Sequence, residues 1–219
     1  MQRERSELVL AIDVGTGGGR AAVYDMAGVE RRKAERGWCA TMPEELAPFG
    51  REYDPRAIRE ALDAAVREVL AAVDASAVAS IAVTGQRIGC AFLDAAGEPL
   101  YLGPNADVRA LAGAQLGDLD ADALYLTTGR FPPWIYAPAR LRFFEAMQPE
   151  TFARIASVAS LPGWYAHRLC GEAAIDPTLA ADLMMWDVAA RTPCEVDPRI
   201  ALPDVRPASS LCCRSLNRD

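Results

Sequence analysis

The sequence predicts an α/β protein built on a mixed sheet flanked by helices. Three features predict it: three β-type segments joined by tight turns open the chain, a helix with a clear start signal follows, and a buried-type strand comes next. The first segment is the apolar run Leu8 to Asp13. The turn-forming stretch Gly15-Thr16-Gly17-Gly18-Gly19 leads into the second, Arg20 to Asp25, with Ala21, Ala22, Val23 and Tyr24. Ala27-Gly28 turns the chain again, and Val29 to Trp38 fits a third strand, completing an antiparallel meander.

Asp54-Pro55 reads as a helix N-cap followed by proline at the first helical position. Ile58, Leu62, Val66, Val69, Leu70 and Val73 then recur at three- and four-residue steps and give one apolar face. Val78 to Thr84 is a buried-type strand ending at Gly85, and Cys90 to Asp94 is another, turning at Ala95-Ala96-Gly97. Helices are expected at residues 107–116, 138–147, 149–156 and 162–169. Strand-strand-strand-helix-strand is the order of the ribonuclease-H-like unit of actin-like ATPases, which is the expected fold. The expected division is one domain over residues 1–190 and an irregular tail over 191–219, punctuated by Pro193, Pro198, Pro203 and Pro207.

Composition narrows the function classes. Of 219 residues, 51% are apolar and 24% charged, enough for a packed core. The net charge of −7 argues against nucleic acid as a main partner. The apolar runs are short and broken, well below the roughly 18 residues of a membrane span. The charged start, Met1 to Glu7, runs straight into a strand, so a cytoplasmic protein is expected. The six cysteines lack the spacing of a zinc or redox motif. His167 is the one histidine, and it reads as an ordinary helix residue.

The strongest chemical signal is Asp13-Val14-Gly15-Thr16-Gly17-Gly18-Gly19-Arg20 between two strands. A carboxylate at a strand end can hold Mg²⁺, directly or through water. Glycines let backbone N–H groups approach phosphate oxygens, and a threonine hydroxyl can add a bond. The Arg20 guanidinium offers a planar fork suited to phosphate. The plain alternative is a glycine-rich hairpin whose aspartate satisfies turn amides.

From this hairpin onward the sequence resembles the FGGY carbohydrate kinases, the family of glycerol kinase and xylulokinase. The resemblance continues through Thr84-Gly85-Gln86-Arg87, Leu93-Asp94, Pro104-Asn105-Ala106-Asp107-Val108-Arg109 and Thr128-Gly129. It runs on through Ala137-Pro138-Ala139-Arg140-Leu141, Pro149-Glu150-Thr151-Phe152, Leu161-Pro162 and Asp176-Pro177-Thr178 to Trp186-Asp187. It therefore covers about Leu8 to Asp187, nearly all of the family's N-terminal domain. Each motif is weak alone; their order carries the match.

The resemblance implies an ATP-dependent kinase for a sugar or polyol hydroxyl, with ATP and Mg²⁺ as cofactors. It places Asp13 at the metal, Gly15, Thr16, Gly17 and Arg20 at the transferred phosphate, and Gln86, Arg87 and Asp107 at the sugar. Three positions depart from relatives. Arg87-Ile88 stands where xylulokinase-type members carry Met-His, and Asn105 stands where a tryptophan is expected. Family members also carry a second actin-like domain that binds adenosine, and a catalytic aspartate after a glycine run. No such run follows Asp187. The catalytic base is thus expected outside this chain, on a missing C-terminal half that a second chain could supply, and the chain alone is expected to be inactive. Two other readings compete: another actin-like ATPase sharing only the phosphate hairpin, or a non-catalytic sugar-binding or interaction fragment that exposes an apolar face and self-associates.

Overall fold

The computed structural model describes residues 7–112, 120–194, 197, 199–208 and 210, which form two compact units. The first comprises residues up to Cys39 together with Asp54–Gln86; the second comprises Ala40–Tyr53 and the chain from Arg87 onward.

Unit 1 holds β1 (Leu8–Val14), β2 (Gly18–Asp25), β3 (Glu30–Gly37), α1 (Pro55–Ala71) and β4 (Val78–Gly85). The sheet order is β3-β2-β1-β4. β1 and β2 pair antiparallel, as do β2 and β3, whereas β4 lies parallel to β1 after the α1 crossover. This is the mixed sheet of the expected ribonuclease-H-like unit. Strict alternation along β1 buries Leu8, Leu10, Ile12 and Val14 on one face. The α1 stripe Ile58, Leu62, Ala65 and Val69 is buried as well. Gly19 shows which face of the sheet this stripe covers. A Cβ on Gly19 would stand 2.4 Å from Leu62 Cδ2 and 2.6 Å from the Trp38 ring, so α1 lies on the Val14–Gly19 side. α1 begins as expected: the Asp54 carboxylate accepts from Arg56 N at 2.8 Å, and Pro55 occupies the first turn.

Unit 2 is centred on a second sheet of order β6-β5-β7, built from β5 (Cys90–Leu93), β6 (Pro99–Gly103) and β7 (Ser157–Ser160), all antiparallel. Around it lie α2 (Ala121–Thr128), α3 (Ala137–Met147), α4 (Pro149–Phe152), α5 (Leu161–Cys170) and α6 (Pro177–Asp182). Phe92, Tyr101, Phe143 and Phe144 form its aromatic core, with the Phe92 and Tyr101 rings 5.0 Å apart. Asp120, Ser160 and Asp176 cap three of the helices, and Gly129 and Gly171 close two of them in left-handed conformations.

Two helices differ from expectation. Of the helix expected over 107–116, residues 107–112 form a 3-10 turn at Arg109–Leu111 instead, and residues 113–119 lie outside the described ones. Asp107 Oδ1 accepts from Arg109 N at 3.2 Å, a side-chain turn that competes with helical bonding. The helix expected over 149–156 stops at Phe152, because Ala156 N bonds to Leu93 O at 2.8 Å and draws the chain into the sheet.

The chain past residue 190 packs on unit 2 where it is described. Ile200 joins the core, Asp204–Val205 pair parallel with Ala174–Ile175, and Arg199 bonds to Asp197 and Glu145. Cys212 and Cys213 lie outside the described residues. Among the described residues no helix is long and apolar enough to cross a membrane.

Gly19→Ala should cost about 1–3 kcal/mol by overpacking against Leu62 and Trp38. Asp54→Ala should cost about 1 kcal/mol through the lost cap. Urea unfolding followed by circular dichroism reads both.

Candidate functional site: a glycine hairpin and a polar row

Strand register places the site in unit 1. Asp13 sits opposite Arg20 on β2 and opposite Thr84 on β4, and Arg20 in turn sits opposite Glu35 on β3. Cross-strand partners share a face, so Thr84, Asp13, Arg20 and Glu35 form one polar row across the sheet on the face away from α1. The next row on that face is Ala82, Ala11, Ala22 and Lys33. Side chains no larger than a methyl on three adjacent strands make a shallow floor beside the polar row.

The row is only loosely paired. Arg20 Nη1 stands 3.7 Å from Asp13 Oδ2 and Arg20 Nε stands 3.6 Å from Glu35 Oε1, with the Arg20 side chain 61% exposed. Such long, solvated ion pairs hold a guanidinium weakly, so a phosphate can recruit it. Lys33, bonded to Glu35 at 3.0 Å, holds the Glu35 carboxyl below its ordinary value.

The turn between β1 and β2 is a close backbone structure. Gly15 N donates to Gly18 O at 3.0 Å, and a Cβ on Gly15 would stand 2.6 Å from that same oxygen. A side chain at position 15 would therefore open the turn. Thr16 and Gly17 form its exposed tip, and nothing lies within 4 Å of where a Cβ on Gly17 would stand. The turn is braced from both sides: Trp38 N donates to Gly17 O at 3.2 Å, and Gln86 Nε2 donates to Gly15 O at 3.1 Å. Gln86 N also bonds to Val14 O at 2.9 Å.

The expected residues thus fall into two groups. Asp13, Gly15, Thr16, Gly17 and Arg20 come together at one end of the unit 1 sheet. Gln86, expected at the sugar, joins this group as a buried brace of the hairpin. Arg87 is exposed, and Ile88 after it adopts a left-handed backbone (φ 68°), rare for a β-branched residue.

Asp107 belongs to unit 2, where its carboxylate is wholly buried. Oδ1 accepts from Arg51 N at 3.0 Å and from Arg109 N. Oδ2 accepts from Arg109 Nε at 2.7 Å and from the Tyr101 hydroxyl. Arg140, also fully buried, donates to Pro104 O and Ile135 O at 2.9 Å each, and its Nε lies 4.0 Å from Asp107 Oδ2. Arg109 stacks over the Tyr101 ring at 4.3 Å and bonds to Glu52 at 2.8 Å. Burial pushes the Tyr101 phenol well above its ordinary value, and the Cys90 thiol up as well, despite the nearby guanidiniums. Both groups stay protonated at neutral pH.

Sequence reasoning missed Thr84 and Glu35 as members of the polar row. Only their strand partners, far away in sequence, reveal them. It also missed Arg140 and Tyr101 as holders of Asp107.

A β-β-β-α-β sheet whose first turn is a braced glycine hairpin, flanked by a carboxylate and a loosely held arginine, has the actin-like fold. The comparisons make this specific. Residues 8–213 match the model of the FGGY family of carbohydrate kinases, N-terminal domain, and the chain belongs to that family. It is 27% identical over 223 residues to a putative sugar kinase, YoaC, of Bacillus subtilis, covering 96% of this chain and 44% of that protein. It is 27% identical over 195 residues to the autoinducer-2 kinase of Salmonella paratyphi B, covering 86% and 36%. Among solved structures, a xylulose kinase from Brucella ovis superposes with a TM-score of 0.82 at 25% identity, over 91% of this chain and 43% of that one. A gluconate kinase from Lactobacillus acidophilus shares the fold, with a TM-score of 0.83 at 18% identity over 97% and 44%. The chain thus spans under half the length of these relatives.

Asp107→Asn should cost about 3–5 kcal/mol, because it leaves the two buried guanidiniums without their central anion. Urea unfolding checks this. Faster alkylation of Cys90, which accepts from Arg140 Nη1 at 3.4 Å, locates the loss in unit 2.

Proposed function

We propose that this chain is the phosphate-handling and sugar-contacting N-terminal part of an ATP-dependent sugar or polyol kinase acting in the cytoplasm. The observation that carries the reading is the polar row Thr84–Asp13–Arg20–Glu35 beside a braced glycine hairpin. The open backbone at Gly17 and the exposed Arg20 fork fit a phosphate group. Asp13, its side chain 35% exposed, fits Mg²⁺ only as one ligand among several. No group of three metal-ligating side chains occurs among the described residues, and Mg²⁺ commonly pairs one or two carboxylates with substrate phosphates. The ion, when bound, would neutralise charge on the phosphates.

The chain's own residues then divide the work. Gly15, Thr16 and Gly17 line the turn that receives the phosphate, and Arg20 swings from its weak pairing with Asp13 and Glu35 onto a phosphate oxygen. Gln86 holds the turn in shape through Gly15 O. Arg87, exposed beside the strained Ile88, contacts the acceptor. Asp107 serves as a positioning residue that fixes the segment around residues 103–109. The names of relatives point to a polyhydroxylated acceptor: xylulose, gluconate, glycerol or autoinducer-2. The group that deprotonates the acceptor hydroxyl comes from polypeptide beyond these residues, in the same protein or in a separate chain.

Calorimetry tests this. A non-hydrolysable Mg²⁺-ATP analogue should bind the wild type, and Arg20→Ala should bind it about tenfold more weakly at unchanged thermal stability, because the side chain is exposed. One of the four acceptors should give saturable heat, while ATP and that acceptor form no sugar phosphate with this chain alone. Absence of nucleotide heat, or an Arg20→Ala variant that binds as the wild type does, overturns the phosphate role. Turnover by the chain alone overturns the need for an outside base.

A further inference from the structure

We infer that Trp38 is a positioning residue for the phosphate turn, holding it from the β3 side as Gln86 does from the β4 side, a role that rests on the phosphate reading of that turn. Trp38 is the first residue past β3 and is buried, at 8% exposure. It touches the turn at two points. Its main-chain N–H donates to Gly17 O at 3.2 Å. Its indole stands against Gly19, where a Cβ would lie 2.6 Å from Cη2 and 2.9 Å from Cζ3 of the ring. Leu62 Cδ2 of α1 shares that space, 2.4 Å from the same point, so the ring is anchored where β2 meets α1.

The side chain, more than the main chain, secures this hold. The β3 ladder ends at Gly37, paired with Gly18, so no further pair of that ladder fixes residue 38. A bond at 3.2 Å is at the long end of the N–H···O range, and a small displacement of Trp38 would break it. The indole supplies the anchor that the ladder no longer gives. Its Nε1 is buried and has no hydrogen-bond acceptor among the described residues, a cost that a phenylalanine would not carry. What tryptophan adds is reach. The atoms nearest Gly19 are Cη2 and Cζ3, on the outer edge of the six-membered ring, where a phenyl group does not extend.

The turn needs an outside hold because it has little stiffness of its own. The peptide between Gly17 and Gly18 has no side chain on either flank and rotates readily. A stiffer residue is excluded at position 18, where a Cβ would stand 2.5 Å from Arg36 O. Trp38 N fixes the Gly17 carbonyl. Because the 17–18 peptide is trans and planar, the Gly18 N–H is fixed with it, pointing the opposite way. Gln86 fixes the 15–16 peptide in the same manner through Gly15 O. The peptide units on both sides of the tip are therefore oriented before a phosphate arrives, which leaves less ordering for the ligand to bring about. Arg36, bonded to Glu68 of α1, ties the end of β3 to the same helix.

Inorganic tripolyphosphate is the probe for two measurements. Trp38→Phe keeps the main-chain N–H and removes the outer edge of the ring. By calorimetry it should bind tripolyphosphate about tenfold more weakly than the wild type, through lost preorganisation, with circular dichroism confirming the fold. Val69→Ala, in the same buried α1 stripe two turns beyond Leu62, loses core packing away from the turn and should bind within about twofold of the wild type. Trp38 is the one tryptophan of unit 1, since Trp134, Trp164 and Trp186 belong to unit 2. In 5-fluorotryptophan protein, the ¹⁹F resonance of Trp38, assigned by single phenylalanine replacements of the other three, should shift saturably with tripolyphosphate while the others stay in place. That readout stands even if Trp38→Phe fails to fold. A wild type that does not bind tripolyphosphate overturns the phosphate reading and the positioning role with it. Three results overturn the positioning role alone: a Trp38→Phe variant that binds as the wild type does, a Val69→Ala variant that loses as much affinity, or a Trp38 resonance that stays fixed at saturation.

Discussion

The parallel register of β1 against β4 is the constraint on which the site depends. β1 buries Leu8, Leu10, Ile12 and Val14 toward α1, and this fixes the phase of every other residue on the strand. A slip of one position would turn Asp13 into the core and bring Val14 to the surface, at the cost of four buried aliphatic side chains. The phase that protects the core therefore also presents the carboxylate. It aligns Asp13 with Thr84 and brings Gln86 beside the glycine turn that its side chain braces. Packing and chemistry are decided by one choice of register.

The two units hold their functional segments by different physics. In unit 1, backbone lies against backbone, and the absence of a side chain at Gly15 lets the turn close on itself. In unit 2, charge is taken into the core. Asp107 is surrounded by Arg109, Arg140, Tyr101 and the Arg51 amide, and Arg109 lies against aromatic rings as well as against Glu52. Among the described residues, Arg109 Nη1 and Arg140 Nε have no hydrogen-bond acceptor, so the cluster is not fully compensated. Desolvating such groups costs on the order of several kcal/mol per ion. The cluster therefore adds little net stability, but loss of its single buried anion is expensive.

The parts of this architecture that were legible in the sequence are local. The three-strand meander, the Asp54-Pro55 helix start and the glycine turn each follow from alternation, capping chemistry or turn residues within a few positions. What was not legible depends on distant partners. Thr84 and Glu35 enter the polar row only through strand pairing. Asp107 reads as the start of a helix and a sugar contact until Arg51 and Tyr101 close over it. The short strands β6 and β7 escaped notice because each is brief and gains its order from pairing with β5. α2 escaped because Leu124, Tyr125 and Leu126 run together without a clear helical stripe.

A phosphate cradle at the β1–β2 turn, as opposed to a plain hairpin, would respond to a free polyphosphate. Its most direct test is a ¹H–¹⁵N titration of the labelled chain with inorganic tripolyphosphate. Saturable shifts should concentrate at the amides of residues 15–20 and at the Gln86 side-chain amide, weakening as salt is raised. Shifts absent from this turn, or spread evenly over the arginine-bearing surface, would contradict it.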